Sequence, residues 1–95
     1  MYVNVLIRAR KELVEHKFEQ NVPPGTTHCY WTSAKPKPKQ GILNKVLFTT
    51  GTKVYAEGKI IGVDPIEGLQ FEPLKEVDYI APRIAPTRGF AYVFL

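Results

Sequence analysis

The sequence predicts one mainly β domain, α+β in class, built over residues 1–95 as a small barrel of five or six short strands with one or two short helices. Three observations carry that expectation. A chain of 95 residues lies below the usual domain size, so it has room for one core and none for a multi-domain enzyme. Its 44% hydrophobic and 12% aromatic content supplies enough apolar surface to offset the entropy of ordering, which excludes a disordered tail. Runs of β-favouring residues recur between breaks containing Gly and Pro, and closing them into a barrel removes the exposed edges that short strands leave.

Taken in order, Val3, Val5 and Ile7 alternate with Asn4, Leu6 and Arg8, the period of a strand over Tyr2 to Arg8 with one face buried and the other mixed. Ala9 to Gln20 is rich in helix formers and is expected to be helical, although Ala9, Leu13, Val14 and Phe18 spread over about half the helical circumference. The segment NVPPGT ends it, because Pro23 and Pro24 lack donors and Gly25 permits a tight turn. HCYWTS is a second short strand. AKPKPKQG follows as an exposed loop or edge, since Pro36 and Pro38 cannot donate to a central ladder.

NKVLFT and TKVYAEGKIIGV, joined at Thr50-Gly51, form the clearest hairpin, with Val54, Ala56, Gly58 and Ile60 on an inward face of small residues. DPIEG turns again, LQFEPL adds a short strand, and APRIAPTRG is an extended proline-rich lead into RGFAYVFL. In that last strand Phe90, Tyr92 and Phe94 share one face and Ala91, Val93 and Leu95 the other. Both faces are apolar, so the strand is either covered twice within a monomer or makes an oligomer contact.

Charge is unevenly placed. Residues 1–45 hold eight basic and three acidic side chains, a net of +5, whereas residues 46–95 hold five and six, a net of −1. A positive half suggests a polyanionic partner, RNA or single-stranded DNA. One cysteine, Cys29, rules out an internal disulfide, and with two histidines it is too small a set for a structural zinc site; no metal or cofactor is expected. No apolar run approaches the length of a spanning helix and no leader is recognised, so the expectation is a cytoplasmic monomer or weak homodimer with no membrane partner.

Tyr30 and Trp31 stand immediately before the lysine-rich loop, where flat rings stack bases and ammonium groups neutralise phosphates. Neighbours on a strand point to opposite faces, so only one ring faces the loop; Trp31 is the expected one, the other ring filling the core. Lys35, Lys37 and Lys39 form a comb that aligns only on a strand-like backbone, since polyproline II turns successive side chains about 120° around its axis. Arg83 and Arg88, stiffened by Pro82 and Pro86, serve either as a second wall for phosphate or as part of a rigid crossover. No catalytic residue is assigned: nucleophile elbows, phosphate-binding glycine loops and HExxH pairs are missing, and Glu57 beside Gly58 is the carboxylate best placed for close ligand approach.

YWTSAKPKPKQG followed by NKVLFTTGTKVYAEGKIIGVD resembles the PUA-like superfamily, its ASCH and EVE-type members in particular, over Tyr30 to Leu95. The resemblance implies a PUA-like pseudo-barrel with a groove for RNA or a modified nucleotide, to which Trp31 and Ser33 would contribute. Some ASCH members look like minimal amidohydrolases using lysine, threonine and glutamate. That implies an alternative in which Lys35 or Lys59 activates Thr32 and Glu57 moves a proton on a modified nucleoside. A further alternative is a protein-interaction or self-associating module that pairs through the apolar last strand.

Overall fold

A computed structural model describes residues 2–32, 34–37 and 41–94. Seven strands form one connected sheet: β1 (Tyr2–Arg8), β2 (Cys29–Trp31), β3 (Ile42–Thr49), β4 (Lys53–Asp64), β5 (Gly68–Phe71), β6 (Lys75–Ile80) and β7 (Phe90–Phe94). The hydrogen-bonded path runs β2-β5-β4-β3-β1-β7, with β6 attached to β4. β1 is parallel to β3 and every other pair is antiparallel. No ladder joins β2 to β7 among the described residues. The sheet instead folds over itself, so that Trp31 of β2 and Phe71 of β5 meet Phe48 of β3 edge-on, at ring separations of 5.2 and 5.8 Å.

The mainly β class is as the pattern predicts, and two elements differ. Ala9 to Gln20 forms two 3₁₀ turns, Lys11–Leu13 and Glu15–Lys17, in place of a helix. Its apolar residues do not make one stripe: Val14 and Phe18 drop into the core while Leu13 stays half exposed, and two tight turns accommodate that spacing where a regular helix does not. β6 is a seventh strand whose residues KEVDYI show no apolar alternation, because all but Val77 are exposed. Its ladder with β4 holds it, not burial.

The β1–β3–β4–β7 sheet is packed on both faces. One face carries the larger cluster, including Val5, Ile7, Val46, Phe48, Ala56 and Phe71, closed by Val14 and Phe18. The other carries Leu6, Leu47, Val54, Ala85 and Val93. β1 is therefore buried from Val3 to Ile7, and its one polar member, Asn4, accepts the Lys45 N–H at 3.1 Å. β7 is likewise covered twice by its own chain, Phe90 and Tyr92 toward the first cluster and Val93 in the second; Phe94, 57% exposed, is the exception.

β4 pairs with β6 over its first half and with β5 over its second, so the sheet forks at Gly58 and Lys59. The linker between β5 and β6 crosses at that point. A Cβ on Gly58 would sit 2.8 Å from the Glu72 carbonyl oxygen and 2.9 Å from Leu74 Cδ2, so the position excludes a side chain. The close approach that Gly58 permits is thus made by the chain itself.

Candidate functional site

β2 sends Cys29 and Trp31 inward and Tyr30 outward. Trp31, the ring expected to face a ligand, is half-buried against Phe48, whereas Tyr30 is 45% exposed with the Lys17 ammonium 5.1 Å from its ring centre. The alternation that predicts one ring on each side holds, and the assignment is reversed: the larger indole fills the larger core. Burial lowers the Lys17 pKa, an effect partly offset by Cys29, and pushes the Cys29 thiol up. That thiol lies 3.8 Å from the Lys17 carbonyl oxygen.

The lysine segment is anchored, not free. Ala34 and Pro36 are buried, Lys35 and Lys37 exposed, and the Lys37 N–H donates to the Tyr92 hydroxyl at 2.8 Å. This in-out alternation puts both lysines on one outer side. Ser33 and Lys39 lie outside the described residues. Arg83 and Arg88 are exposed on the strap that places Ala85 in the second cluster, across the sheet from the indole. Trp31, Arg83 and Arg88 are therefore not gathered into one groove.

A different basic cluster forms where β1 ends. Arg8, Arg10, Thr50 and Thr87, with Ala9 and Leu13 beneath, line a recess of about 360 Å³. The Arg8 guanidinium lies beside Gly51 in the β3–β4 turn, 3.4 Å from where a side chain on that glycine would begin. Arg88 follows Thr87 and, through the β1–β7 register, leads into the partner of Ile7. Among the described residues Lys11, Lys45 and Lys53 make ion pairs with Glu76, Glu57 and Asp78, whereas none of the four arginines pairs with a carboxylate. The sequence signal for this recess is Arg8-Ala9-Arg10, two guanidines bracketing the exit of a strand, which reads as an ordinary strand end when strands alone are sought.

A larger cleft of about 680 Å³ opens at the fork of β4, between the Pro23–Thr26 turn and the Glu57–Lys59 stretch. Glu57 accepts from Lys45 Nζ at 3.0 Å and from the Tyr79 hydroxyl at 2.9 Å. Burial pulls its carboxyl upward, but these two bonds and the charges of Lys45 and Lys75 outweigh it and hold the group below its ordinary range. Burial and Glu57 together push the Tyr79 phenol up. Glu57 is thus held at the edge of the cleft by an ion pair to Lys45 and a hydrogen bond from Tyr79.

The hydrolase grouping is not assembled. Thr32 lies against Gly68, where a Cβ would come within 2.8 Å of the Thr32 Cα, and Gly68 is the cross-strand partner of Asp64. Glu57 stands seven residues back along β4, about 23 Å at strand rise. Among the described residues no group of three His, Cys, Asp or Glu side chains is arranged to hold a metal, and no helix is long and apolar enough to cross a membrane. No protein-family model, curated protein or solved structure matches this chain.

Proposed function

We infer that this chain binds single-stranded nucleic acid, RNA in the first instance, by holding phosphates at the arginine recess. The observation that carries the reading is that Arg8 and Arg10 line one recess with two threonines, that Arg88 follows one of them, Thr87, in the chain, and that none of the three arginines makes an ion pair among the described residues. A guanidinium presents a planar fork that matches phosphate oxygens, and threonine hydroxyls supplement it. Tyr30, exposed on β2, is the ring free to stack a base, and Lys35 and Lys37 are exposed cations on the segment after β2, a surface separate from the recess. The PUA-like resemblance is the guide to RNA and to recognition of a particular nucleotide, and a buried free thiol fits a reducing cytoplasm. β7, covered on both faces by its own chain save for Phe94, favours a monomer.

The test is fluorescence anisotropy with a labelled RNA oligonucleotide over a salt series. Binding should weaken linearly in log–log form, and the Arg8→Ala, Arg10→Ala, Arg88→Ala triple variant should reduce the slope by about 2, at roughly 0.7 per lost single-strand phosphate contact. Absence of binding at 50 mM salt, or a slope unchanged in the triple variant, overturns the reading.

A further inference from the structure

Among the described residues β2, β6 and β7 are each paired on one side only, and the free side of a strand leaves N–H and C=O groups open to another strand. Two of these edges are defended. β2 is three residues long, and β6 carries Lys75, Glu76 and Asp78 on its six residues, charges that oppose edge-to-edge pairing. β7 has neither defence: Phe90–Phe94 reads FAYVF, with no charge, no proline and no break in its register with β1. Among the described residues no backbone hydrogen bond from β7 reaches anything but β1. The closed faces of β7 hold the dilute chain as a monomer, while its outer edge stays open.

The order of residues along β7 selects the occupant, because FAYVF reads almost the same in both directions. Antiparallel pairing about a two-fold axis through Tyr92 sets Tyr92 against Tyr92, Ala91 against Val93 and Phe90 against Phe94. That axis stands perpendicular to the sheet and keeps each face on its own side: Phe90 and Tyr92 continue the side of the first cluster from copy to copy, and Val93 that of the second. Phe94, the exposed ring of the strand, comes opposite the half-buried Phe90 of the other copy. We propose that β7 is the docking edge for a second copy of this chain, giving a two-fold dimer whose sheet runs β3-β1-β7-β7-β1-β3 through its centre. A ladder of five residues is far smaller than the roughly 1,600 Å² of a standard interface, so the dimer is weak and fills only at about 0.1 mM chain and above. Each copy carries a net +4, and screening of that repulsion tightens the association as salt rises, the opposite sign to phosphate binding. The edge is separate from the arginine recess and does not depend on nucleic-acid binding.

Sedimentation equilibrium from about 10 μM to about 1 mM chain, at low and high salt, tests the proposal. The average mass should climb reversibly from that of one chain toward that of two and no further, and more steeply at high salt. Phe94→Lys puts a charge on the edge at an exposed position, and should weaken dimerisation at least tenfold while leaving the melting temperature nearly unchanged. Phe94→Tyr, which keeps the ring, should retain the dimer. Isotope-filtered NOEs between labelled and unlabelled copies should join Ala91 to Val93 and Phe90 to Phe94. A chain that stays monomeric at about 1 mM in high salt overturns the proposal and leaves the edge to a strand of another protein. A dimer indifferent to Phe94→Lys, or intermolecular NOEs that fall on β2 or β6 instead, would overturn it as well.

Discussion

The two faces of the central sheet are closed by different kinds of chain. Rings and long aliphatics from β2, β5 and the 3₁₀ segment close the first, with Phe48 wedged between Trp31 and Phe71. A proline-rich strap inserts Ala85 among Leu6, Leu47, Val54 and Val93 on the second, where Val77 and Ala81 also pack. The contrast separates two duties: the aromatic face supplies most of the apolar burial, while the strapped face presents Arg83 and Arg88 to solvent over a smaller cluster. A ring on the first face is therefore structural unless, like Tyr30, it points away from it.

The comparison breaks most visibly at Phe48. Phe48→Ala removes a fully buried ring with two edge-to-face partners and should cost about 3–5 kcal/mol in urea unfolding. Ala85→Leu tests the thinner face: overpacking beneath the strap should cost about 1–3 kcal/mol, and no loss would show that the second cluster has slack. The rings of β2 sharpen the division of duties. Tyr30→Ala should weaken RNA binding by about 1–3 kcal/mol and leave the melting temperature nearly unchanged. Trp31→Ala should lower the melting temperature, losing about 0.5–1.5 kcal/mol of ring–ring contact beyond its buried area. The reverse outcome would return the stacking role to the indole.

The smallest effect is at Glu57. Its carboxyl titrates lower in the folded chain than unfolded, so its contribution is fully present above about pH 4.5 and is lost as the pH falls below that value. Thermal melts of Glu57→Gln should therefore lie below those of the unaltered chain at pH 7, with the gap closing on acidification. A gap that widens toward acid would show that burial, not the Lys45 and Tyr79 bonds, governs the group.

Much of the fold was legible because period and punctuation are local. β1 and the β3–β4 hairpin follow from alternation between turn signals, as does the shared face of Ala56 and Ile60; Val54, expected with them, lies in the second cluster because the ladder to β6 shifts register between Val54 and Ala56. β6 was not legible, since a strand held by its ladder and exposed on both faces carries no hydrophobic signature. The helix expected at Ala9 failed for the opposite reason: composition favoured it, and tertiary anchoring at Val14 and Phe18 overrode propensity. For the site, residue types were readable and directions were not. Whether Tyr30 or Trp31 faces outward depends on which side of β2 the core occupies, and the meeting of Arg8, Arg10 and Thr87 depends on β1 lying beside β7.

That last adjacency has a consequence in time. Val3 pairs with Phe94, so the first of the seven strands to be made waits for the seventh before its second neighbour exists. Until then β1 exposes an apolar, unpaired edge, and pairings so distant along a chain are slow to form. The arrival of Phe90–Phe94 thus decides when the nascent domain stops being sticky, and a chain stalled before Phe90 should be a preferred client of chaperones.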